Sequence, residues 1–354
     1  MSVCLPCEGI GSVPRPASLQ AALSSTGADV AGETKAALLD TLNQLTASSP
    51  GLPITDGEQS KPSFATYSIA GITTLKPDGV RIDFADGHHR QLPVISEGPF
   101  VYSNFAVEYL REAKALAPAG SRLKQAVISA SAMSLLYPSR GIEGYTRDAF
   151  VEDVVANAVK DIRLCLDAGA DSVQVDFTEA RLSLKLDPSG GLYSQLLAVN
   201  ERVFAAFSED ENARIGIHVC PGADADSVHS AEIDYSRLIP QLLGTLSCRR
   251  FYFQMKSEAD PDRALAAIRD NIKPGQVIFV GAIDVNSARV ETAEEVSAFV
   301  ENAAKFIPCS QLGVCDDCGF SPFADDVSTS RDIAFAKIAA RVQGTKLASA
   351  KLLA

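Results

Sequence analysis

The chain has 354 residues, of which 46% are hydrophobic and 21% are charged. This length and composition allow a large buried core, either in two modest domains or in one α/β barrel. The net charge of −12, without a long basic cluster, argues against a nucleic acid partner, because phosphate binding requires a basic face. We find neither a secretory signal nor an apolar stretch long enough to span a membrane. We therefore expect a cytoplasmic protein without a membrane partner.

Short β-rich runs alternate with amphipathic stretches in which apolar residues recur at i, i+3 and i+4. This order predicts parallel βα units. Predicted helices include Glu33–Leu45, Arg147–Ala168 ending before Gly169, Leu192–Phe207, Asp262–Asn271, Thr292–Phe306 and a last helix capped by Ser328 or Thr329. The predicted strands are Cys7–Ser12, Leu52–Thr55, Lys124–Ser129, Ser172–Asp176, Arg214–Cys220, Arg250–Gln254, Gln276–Ile283 and Gln311–Cys315.

Eight strands separated by helices predict a (β/α)8 TIM barrel that forms a single domain over residues 1–354. Residues 61–98 do not fit the alternation, and with a turn at Asp86-Gly87 they predict a β-rich insertion after the second strand. This insertion is a candidate lid or homodimer contact, with a plain surface hairpin as the alternative.

One imidazole and two thiols form a candidate metal site. His218 and Cys220 end an apolar run, and side chains two apart on a strand point the same way, so both can reach one ion. Cys318 supplies a second thiol. In a long chain without a secretory signal, cysteines favour metal binding or free buried thiols over disulfides. Because zinc prefers nitrogen and sulfur ligands, these residues predict Zn²⁺ as cofactor and activation of a substrate thiol.

Polar residues at the ends of the predicted strands extend this site. Active sites of (β/α)8 barrels gather at the C-terminal ends of the strands. We therefore expect the following residues to share one site: Ser12, Glu58, Asp176, His218, Cys220, Gln254, Asp284 and Cys318.

Five motifs occur in order along the chain, namely Ile10-Gly-Ser-Val-Pro14, Asp56-Gly-Glu58, Gln174-Val-Asp176, His218-Val-Cys220 and Asp317-Cys-Gly319. With these motifs the chain resembles the zinc-binding C-terminal domain of cobalamin-independent methionine synthases, and most of all the shorter core methionine synthases, over nearly its whole length. Members of this family transfer a methyl group to the thiol of homocysteine, held on zinc. The resemblance implies that His218, Cys220 and Cys318 bind zinc. It also implies that Glu58 and Asp176 bind the substrate ammonium, and that Ile10 and Ser12 bind the substrate carboxylate.

Two positions depart from the family pattern. Gln254 aligns with a glutamate that ligates zinc in the family, so the implied fourth ligand is a neutral amide. Asn286, two residues after Asp284, stands near the family's general-acid histidine, and an amide cannot transfer a proton. The candidate catalytic residues at these strand ends are Asp176, Asp284 and Asn286, and the methyl donor is left open.

Other interpretations remain beside these. The first and last strands of a closed barrel are neighbours, so Cys4, Cys7, Cys315 and Cys318 could form a four-cysteine zinc site or a disulfide. Glu58 and Asp176 could be helix caps or ion-pair partners. We expect Glu179 to support the site by bonding Arg181, and His229 to be either a site residue or a solvated loop residue.

The leading interpretation is a zinc-dependent methyltransferase that forms methionine from homocysteine. Its partners would be a small-molecule thiol and an alkyl donor. The runner-up is a zinc-dependent epoxide:thiol transferase or C–S lyase of the same superfamily. A metal-free decarboxylase of the uroporphyrinogen decarboxylase type ranks lower because it leaves the thiols without a purpose, and a non-catalytic zinc protein ranks lower still.

Overall fold

A computed structural model describes residues 4–354. Seven parallel strands form one curled sheet in which neighbours along the chain are neighbours in space. The strands are β1 Pro53–Ile54, β2 Arg122–Ile128, β3 Ser172–Asp176, β4 Ile215–Val219, β5 Arg250–Phe253, β6 Val277–Gly281 and β7 Leu312–Cys315. Their residues are almost all buried, as expected of parallel strands covered on both faces.

The predicted first strand, Cys7–Ser12, is not a strand of this sheet. Cys7 makes a single parallel bridge to Val314 of β7, flanked by two backbone hydrogen bonds of 2.8 and 3.0 Å. At the other edge, the Val13 N–H donates to the Gly57 carbonyl just after β1 at 3.1 Å. The segment therefore lies between the two edges, but its glycines disfavour a regular strand. The (β/α)8 barrel prediction is thus confirmed only in part, because the structure has a curled sheet of seven parallel strands that is consistent with a barrel-like fold.

Helices connect consecutive strands, and their buried faces pack on the core that also covers the sheet. Within residues 4–354 they are α1 Ala17–Leu23, α2 Val30–Ser48, α3 Ala106–Leu116, α4 Ala130–Ser134, α5 Arg147–Asp167, α6 Glu179–Leu186, α7 Gly191–Phe204, α8 Glu209–Asn212, α9 Ile239–Thr245, α10 Pro261–Asn271, α11 Ala293–Ala303 and α12 Arg331–Leu352. None of these helices is long and apolar enough to cross a membrane.

Most predicted helix boundaries agree with the structure to within a few residues. The Thr146 side chain caps α5, and Gly169 beyond its end has φ +79, as a left-handed C-terminal residue requires. The predicted cap of the last helix is wrong. Ser330 caps α12, because the Ser328 hydroxyl instead donates to Asp326 Oδ1 at 2.7 Å.

The insertion at residues 61–98 is β-structured only in part. Two strands of three residues each, Arg81–Asp83 and His89–Gln91, form an antiparallel hairpin, which we call the 81–91 hairpin. The segment Phe64–Ile69, expected to be β, instead contains a short 3₁₀ helix over Tyr67–Ile69. The β-rich prediction therefore describes this hairpin rather than the whole insertion.

Candidate metal centre

The three predicted metal ligands lie together at the C-terminal end of the sheet. His218 belongs to β4, Cys220 follows it, and Cys318 follows β7. One ligand atom from each lies within 4.8 Å of the others, and the two sulfur atoms are 3.4 Å apart. All three side chains are buried. Two sulfurs bound tetrahedrally to zinc lie about 3.8 Å apart, so the spacing of this cluster fits a zinc ion.

The hydrogen bonding of His218 leaves one ring nitrogen for a metal. Nδ1 lies 3.3 Å from the carbonyl oxygen of Tyr252 in β5 and can donate to it. Nε2 is buried and has no hydrogen-bond partner in the described part of the chain. A metal-binding histidine typically donates its other N–H to a carbonyl or carboxylate, which fixes the ring. The ring therefore fits a metal ion bound through Nε2.

The thiol of Cys318 needs a nearby cation if it is to ionise beside Cys220. The Cys220 sulfur, and then burial, raise the pKa of the Cys318 thiol well above its usual value. A divalent metal supplies the compensating charge.

The Gly222 N–H also donates to the Cys220 sulfur at 3.4 Å. Gly222 has φ +72, and a Cβ there would lie 1.8 Å from Nε2 of His229, so this position suits only glycine.

Gln254, the predicted fourth ligand, is buried directly after β5. Its backbone N–H donates to the Val219 carbonyl at 3.3 Å, and its side-chain nitrogen donates to Glu258 Oε1 at 3.3 Å. Glu258 in turn pairs with the buried guanidinium of Arg181. The side-chain carbonyl oxygen of Gln254 is therefore its one possible ligand atom, and zinc binding by Gln254 stays a prediction.

A narrow cavity beside the cluster, which we call the site cavity, gathers most of the predicted residues. It has a volume of about 30 Å³. The predicted site residues that line it are Ile10, Ser12, Glu58, Asp176, His218 and Cys318. Candidate zinc ligands and candidate substrate-binding residues, which come from five different segments, thus face the same space.

Glu58 has a cationic neighbour that we did not predict. Lys61 Nζ lies 3.2 Å from Glu58 Oε1 and donates to the Ala126 carbonyl at 2.9 Å, with both charged side chains buried. Burial raises the pKa of Glu58 to about 7 against the opposing effect of Lys61. Burial alone would lower the pKa of Lys61, but Glu58, Asp56 and Asp176 together raise it. A bound ammonium would therefore share Glu58 with Lys61, which leaves Asp176 as the less engaged carboxylate.

The loop that contains Ile10 and Ser12 lies against the loop that follows Cys318. The Ile10 N–H donates to Asp316 Oδ2 at 3.3 Å, and the Ser321 N–H donates to Ser12 Oγ at 3.1 Å. A Cβ on Gly319 would lie 2.4 Å from Ser12 Oγ, so glycine permits this approach. Within residues 4–354 the Ser12 N–H has no protein acceptor, so it is one backbone donor available to a carboxylate.

The structure does not bring two of the predicted catalytic residues to the site cavity. The Asn286 N–H donates to Asp284 Oδ1 at 3.0 Å, and the Asp284 N–H donates to Glu291 Oε1 at 2.9 Å. This is a local turn of the kind that Asp side chains commonly close. Of the three predicted catalytic residues, only Asp176 lines the cavity.

The predicted bond between Glu179 and Arg181 is wrong. Arg181 pairs with Glu258, whereas Glu179 accepts hydrogen bonds from the hydroxyls of Ser129, at 2.7 Å, and Ser131. Both residues lie in α6, and helix residues two apart do not face each other.

The alternative four-cysteine site is not formed. The Cys4 sulfur lies 3.3 Å from the Ser349 hydroxyl, and the Cys7 sulfur lies 3.6 Å from that of Thr345. All eight cysteines are free. Among the described residues, the cluster at β4 and β7 is the one group of histidine, cysteine and carboxylate side chains close enough to hold a metal.

Asp317 is a supporting residue whose role the sequence analysis missed. Its Oδ1 accepts from two backbone N–H groups of residues 255–257 at 2.9 Å, and its Oδ2 accepts from the third at 2.9 Å and from the Ser257 hydroxyl at 2.6 Å. These four bonds tie the loop after Gln254 to the loop that carries Cys318. The Asp317-Cys-Gly319 motif contained this signal, but not the identity of the partner loop.

The 81–91 hairpin packs over the loops that follow two of the metal ligands. Arg90 pairs with Asp224, after Cys220, and with Asp325, after Cys318. Phe84 packs edge-on against the His229 ring at a centroid distance of 5.4 Å. Burial, and then Lys185, lower the pKa of His229 to about 3, so its imidazole is neutral at physiological pH. His229 is thus a buried residue beside the site rather than a solvated one.

Known proteins resemble this chain in sequence over much of its length. The sequence profile of the family described as cobalamin-independent synthase, catalytic domain, matches residues 92–339. A methionine synthase of Saccharolobus solfataricus is 27% identical over 212 residues, which is 57% of this chain and 52% of that protein. A 2-hydroxypropyl-CoM lyase of Xanthobacter autotrophicus is 35% identical over 95 residues, which is 27% of this chain and 24% of that protein. The matched region of the Saccharolobus relatives is about half of their length.

Solved structures show the same fold. A B12-independent methionine synthase from a Shewanella species, in complex with selenomethionine, has a TM-score of 0.77 at 20% identity, with 99% of each chain covered. A putative vitamin-B12-independent methionine synthase from Listeria monocytogenes has a TM-score of 0.68 at 19% identity, with 96% of each chain covered. At these identities the likeness concerns the fold alone.

Proposed function

Because this chain belongs to the family of cobalamin-independent synthase catalytic domains, we propose that it transfers a methyl group to the thiol of homocysteine. The zinc ion would be held by His218, Cys220 and Cys318. The observation that best supports this proposal is a cluster of one imidazole and two thiols, of which His218 and Cys318 line a cavity that also carries two carboxylates. When bound, zinc would hold a substrate thiol as the thiolate, which is the nucleophilic form of sulfur.

The polar groups that line the site cavity would suit the amino acid part of such a substrate. Asp176 would accept hydrogen bonds from its ammonium, with Glu58 shared between that ammonium and Lys61. The Ser12 N–H would donate to its carboxylate. These contacts orient the substrate side chain towards the two cysteines, so the thiol enters the cluster with its amino acid end fixed. The methionine synthases among the relatives, one of them solved with selenomethionine, support an amino acid ligand here.

A second candidate is the addition of a thiol to an epoxide, or the reverse C–S cleavage. The match to the 2-hydroxypropyl-CoM lyase supports it. One feature of this chain and one of the epoxide also suit this reaction. The neutral Gln254 reduces the negative charge around the metal, and ring strain lowers the demand on the sulfur nucleophile. A metal-free decarboxylation would leave the buried thiol ligands without a role.

Larger-scale features belong to the same proposal. Residues 1–354 would form one closed (β/α)8 barrel domain, with 61–98 as its insertion, and the chain would act on small molecules as a monomer or homodimer.

Product assays with the zinc-loaded protein test the chemistry. Methionine formed from homocysteine supports methyl transfer, and a hydroxyalkyl thioether formed from glutathione or homocysteine with a small epoxide supports the second candidate. If homocysteine reacts with none of the methyl donors tested, methyl transfer is ruled out.

The variant Asp176→Asn tests the amino acid pocket. Removing the charge should lower kcat/KM for homocysteine by about 10- to 100-fold, the value of one charge-assisted hydrogen bond. The rate with 1-propanethiol, which has no ammonium, should change little. Steady-state kinetics with both thiols and a zinc determination check this prediction. Equal losses with both thiols would instead mean that Asp176 supports the metal cluster.

A further inference from the structure

A second, larger cavity lies next to the site cavity, and we call it the chamber. Its volume is about 350 Å³. Most of its wall is apolar and comes from the 81–91 hairpin, including Ile82 and Phe84, and from the region around α4, including Ile128 and Leu135. A cavity of this size and lining accommodates a small organic molecule with few polar groups.

The chamber and the site cavity share part of their walls. Phe64, Thr178 and Ala223 line both. A molecule held in the chamber therefore reaches the space in which a thiol bound at Cys220 and Cys318 would present its sulfur. A two-substrate reaction needs such an arrangement, with one partner at the metal and the other beside it.

One ionisable group of the chamber wall is incompletely satisfied. Glu179, next in sequence to Thr178, lines the chamber and is only 5% exposed. Its Oε1 accepts hydrogen bonds from the hydroxyls of Ser129 and Ser131, and Asn200 donates to the Ser131 hydroxyl at 2.7 Å. Its Oε2 is buried without a hydrogen-bond partner in the described chain. Such an orphaned oxygen is costly for a residue with only a structural role.

The surroundings of Glu179 favour its protonated form near neutral pH. Burial raises the pKa of Glu179 to about 7, the two serines oppose this, and Asp176 of β3 adds to it. Across the chamber stand His229, which is neutral, and Arg90, whose charge is engaged by Asp325. Glu179 is thus the group of the chamber that can both carry and release a proton near pH 7.

We propose that the chamber binds the alkyl donor and that Glu179 is the acid that protonates its leaving group. This inference rests on the proposed thiol alkylation. The donor class is a molecule whose leaving atom must take up a proton, either the nitrogen of an N-methyl amine or the ring oxygen of an epoxide. The thiolate sulfur forms the new bond to carbon, and the electron pair of the broken C–N or C–O bond takes the proton from Glu179 Oε2. The proton that the thiol released to solvent on binding restores Glu179, so thiol and donor give thioether and protonated leaving group.

The test compares donors that differ in their need for a proton. The zinc-loaded wild type and Glu179→Gln are assayed with homocysteine and three probes, namely 1,2-epoxypropane, 5-methyltetrahydrofolate and iodomethane. With whichever of the first two the wild type turns over, the variant should lose about 10²- to 10⁴-fold in kcat. With iodomethane, whose iodide leaves without a proton, it should lose less than about 3-fold. The wild-type rate with a proton-requiring donor should also fall above pH 7, and this limb should vanish in the variant.

The matched control is Asp161→Asn. Asp161 is also fully buried, with a pKa that burial raises to about 6, but it bonds the Tyr67 hydroxyl at 2.6 Å and lines neither cavity. It should show no selectivity between donors. Equal losses of Glu179→Gln with all donors, or a wild type that uses iodomethane alone, would overturn the proposal. The wild type could instead be inactive with all three probes, and homocysteine could leave the spectrum of the cobalt-substituted protein unchanged. That result would contradict the proposed thiol alkylation itself, and this inference would fail with it.

Discussion

Replacing Cys318 with serine is expected to abolish turnover and zinc retention while the fold persists. A serine hydroxyl stays neutral at physiological pH and is a poor zinc ligand, so the cluster loses one of its three donors. Even hydrogen-bond partners of ligands contribute about 10- to 100-fold to metal affinity, so losing a ligand itself should cost at least that much. The main apolar core spans the sheet and the helices, and Cys318 is only one of its many members, so the fold should persist without this thiol. Metal analysis, circular dichroism and product assays check the three parts of this result.

The matched control is Cys315→Ser. Cys315 is also buried, lies three residues earlier at the end of β7, and is outside the metal cluster. This variant should keep its zinc and its turnover. Loss of zinc in Cys315→Ser but not in Cys318→Ser would show that Cys315, and not Cys318, binds the metal. Unfolding of Cys318→Ser would show that the metal is structural.

The second large effect is expected for Asp317→Ala. The change leaves three backbone N–H groups of the loop after β5 without their acceptor, and one of them is buried while the other two are part-buried. A buried unsatisfied donor costs about 1–3 kcal/mol, and a part-buried one costs less because water can replace its acceptor, so the free energy of unfolding should fall by about 2–4 kcal/mol. The loop that carries Gln254 would also separate from the loop that carries Cys318, and zinc affinity should fall by about 10- to 100-fold. Denaturant titration and competition with a zinc chelator measure the two effects.

Two further variants separate positioning from general destabilisation. Asp317→Asn retains the oxygen that accepts from Met255 and Lys256, so its losses should be smaller than those of the alanine variant. Asp161→Ala removes a buried carboxylate that accepts the Tyr67 hydroxyl and the Ala106 N–H, far along the chain from the metal residues. It should lower stability without changing zinc affinity. Equal zinc loss in Asp161→Ala and Asp317→Ala would show that Asp317 has no specific role.

The features that depend on local periodicity could be predicted from the sequence. His218 and Cys220 lie two residues apart at the end of a buried strand, and strand geometry alone puts both side chains on one side. The order of strands and helices predicted a parallel sheet, and the common edge of parallel strands predicted that Asp176 and Cys318 would meet this pair. The helix positions followed from apolar spacing, except at ends such as Ser330, where several hydroxyls compete to cap.

Features that depend on distant segments could not be predicted in this way. Lys61 is buried because Glu58 and the Ala126 carbonyl surround it, and a lysine three residues after a glutamate gives no sign of burial. Glu179 accepts its hydrogen bonds from the start of α4, directly after β2, because α6 turns its carboxylate away from Arg181. Likewise, the chamber exists because the 81–91 hairpin packs on loops more than a hundred residues away.

The most direct test of the metal-centred account is zinc X-ray absorption on the purified protein with and without homocysteine. We expect two sulfur ligands at about 2.3 Å from the zinc in the free protein, and three once homocysteine is saturating, because the substrate sulfur joins those of Cys220 and Cys318. An unchanged number of sulfur ligands at saturating homocysteine would contradict the account.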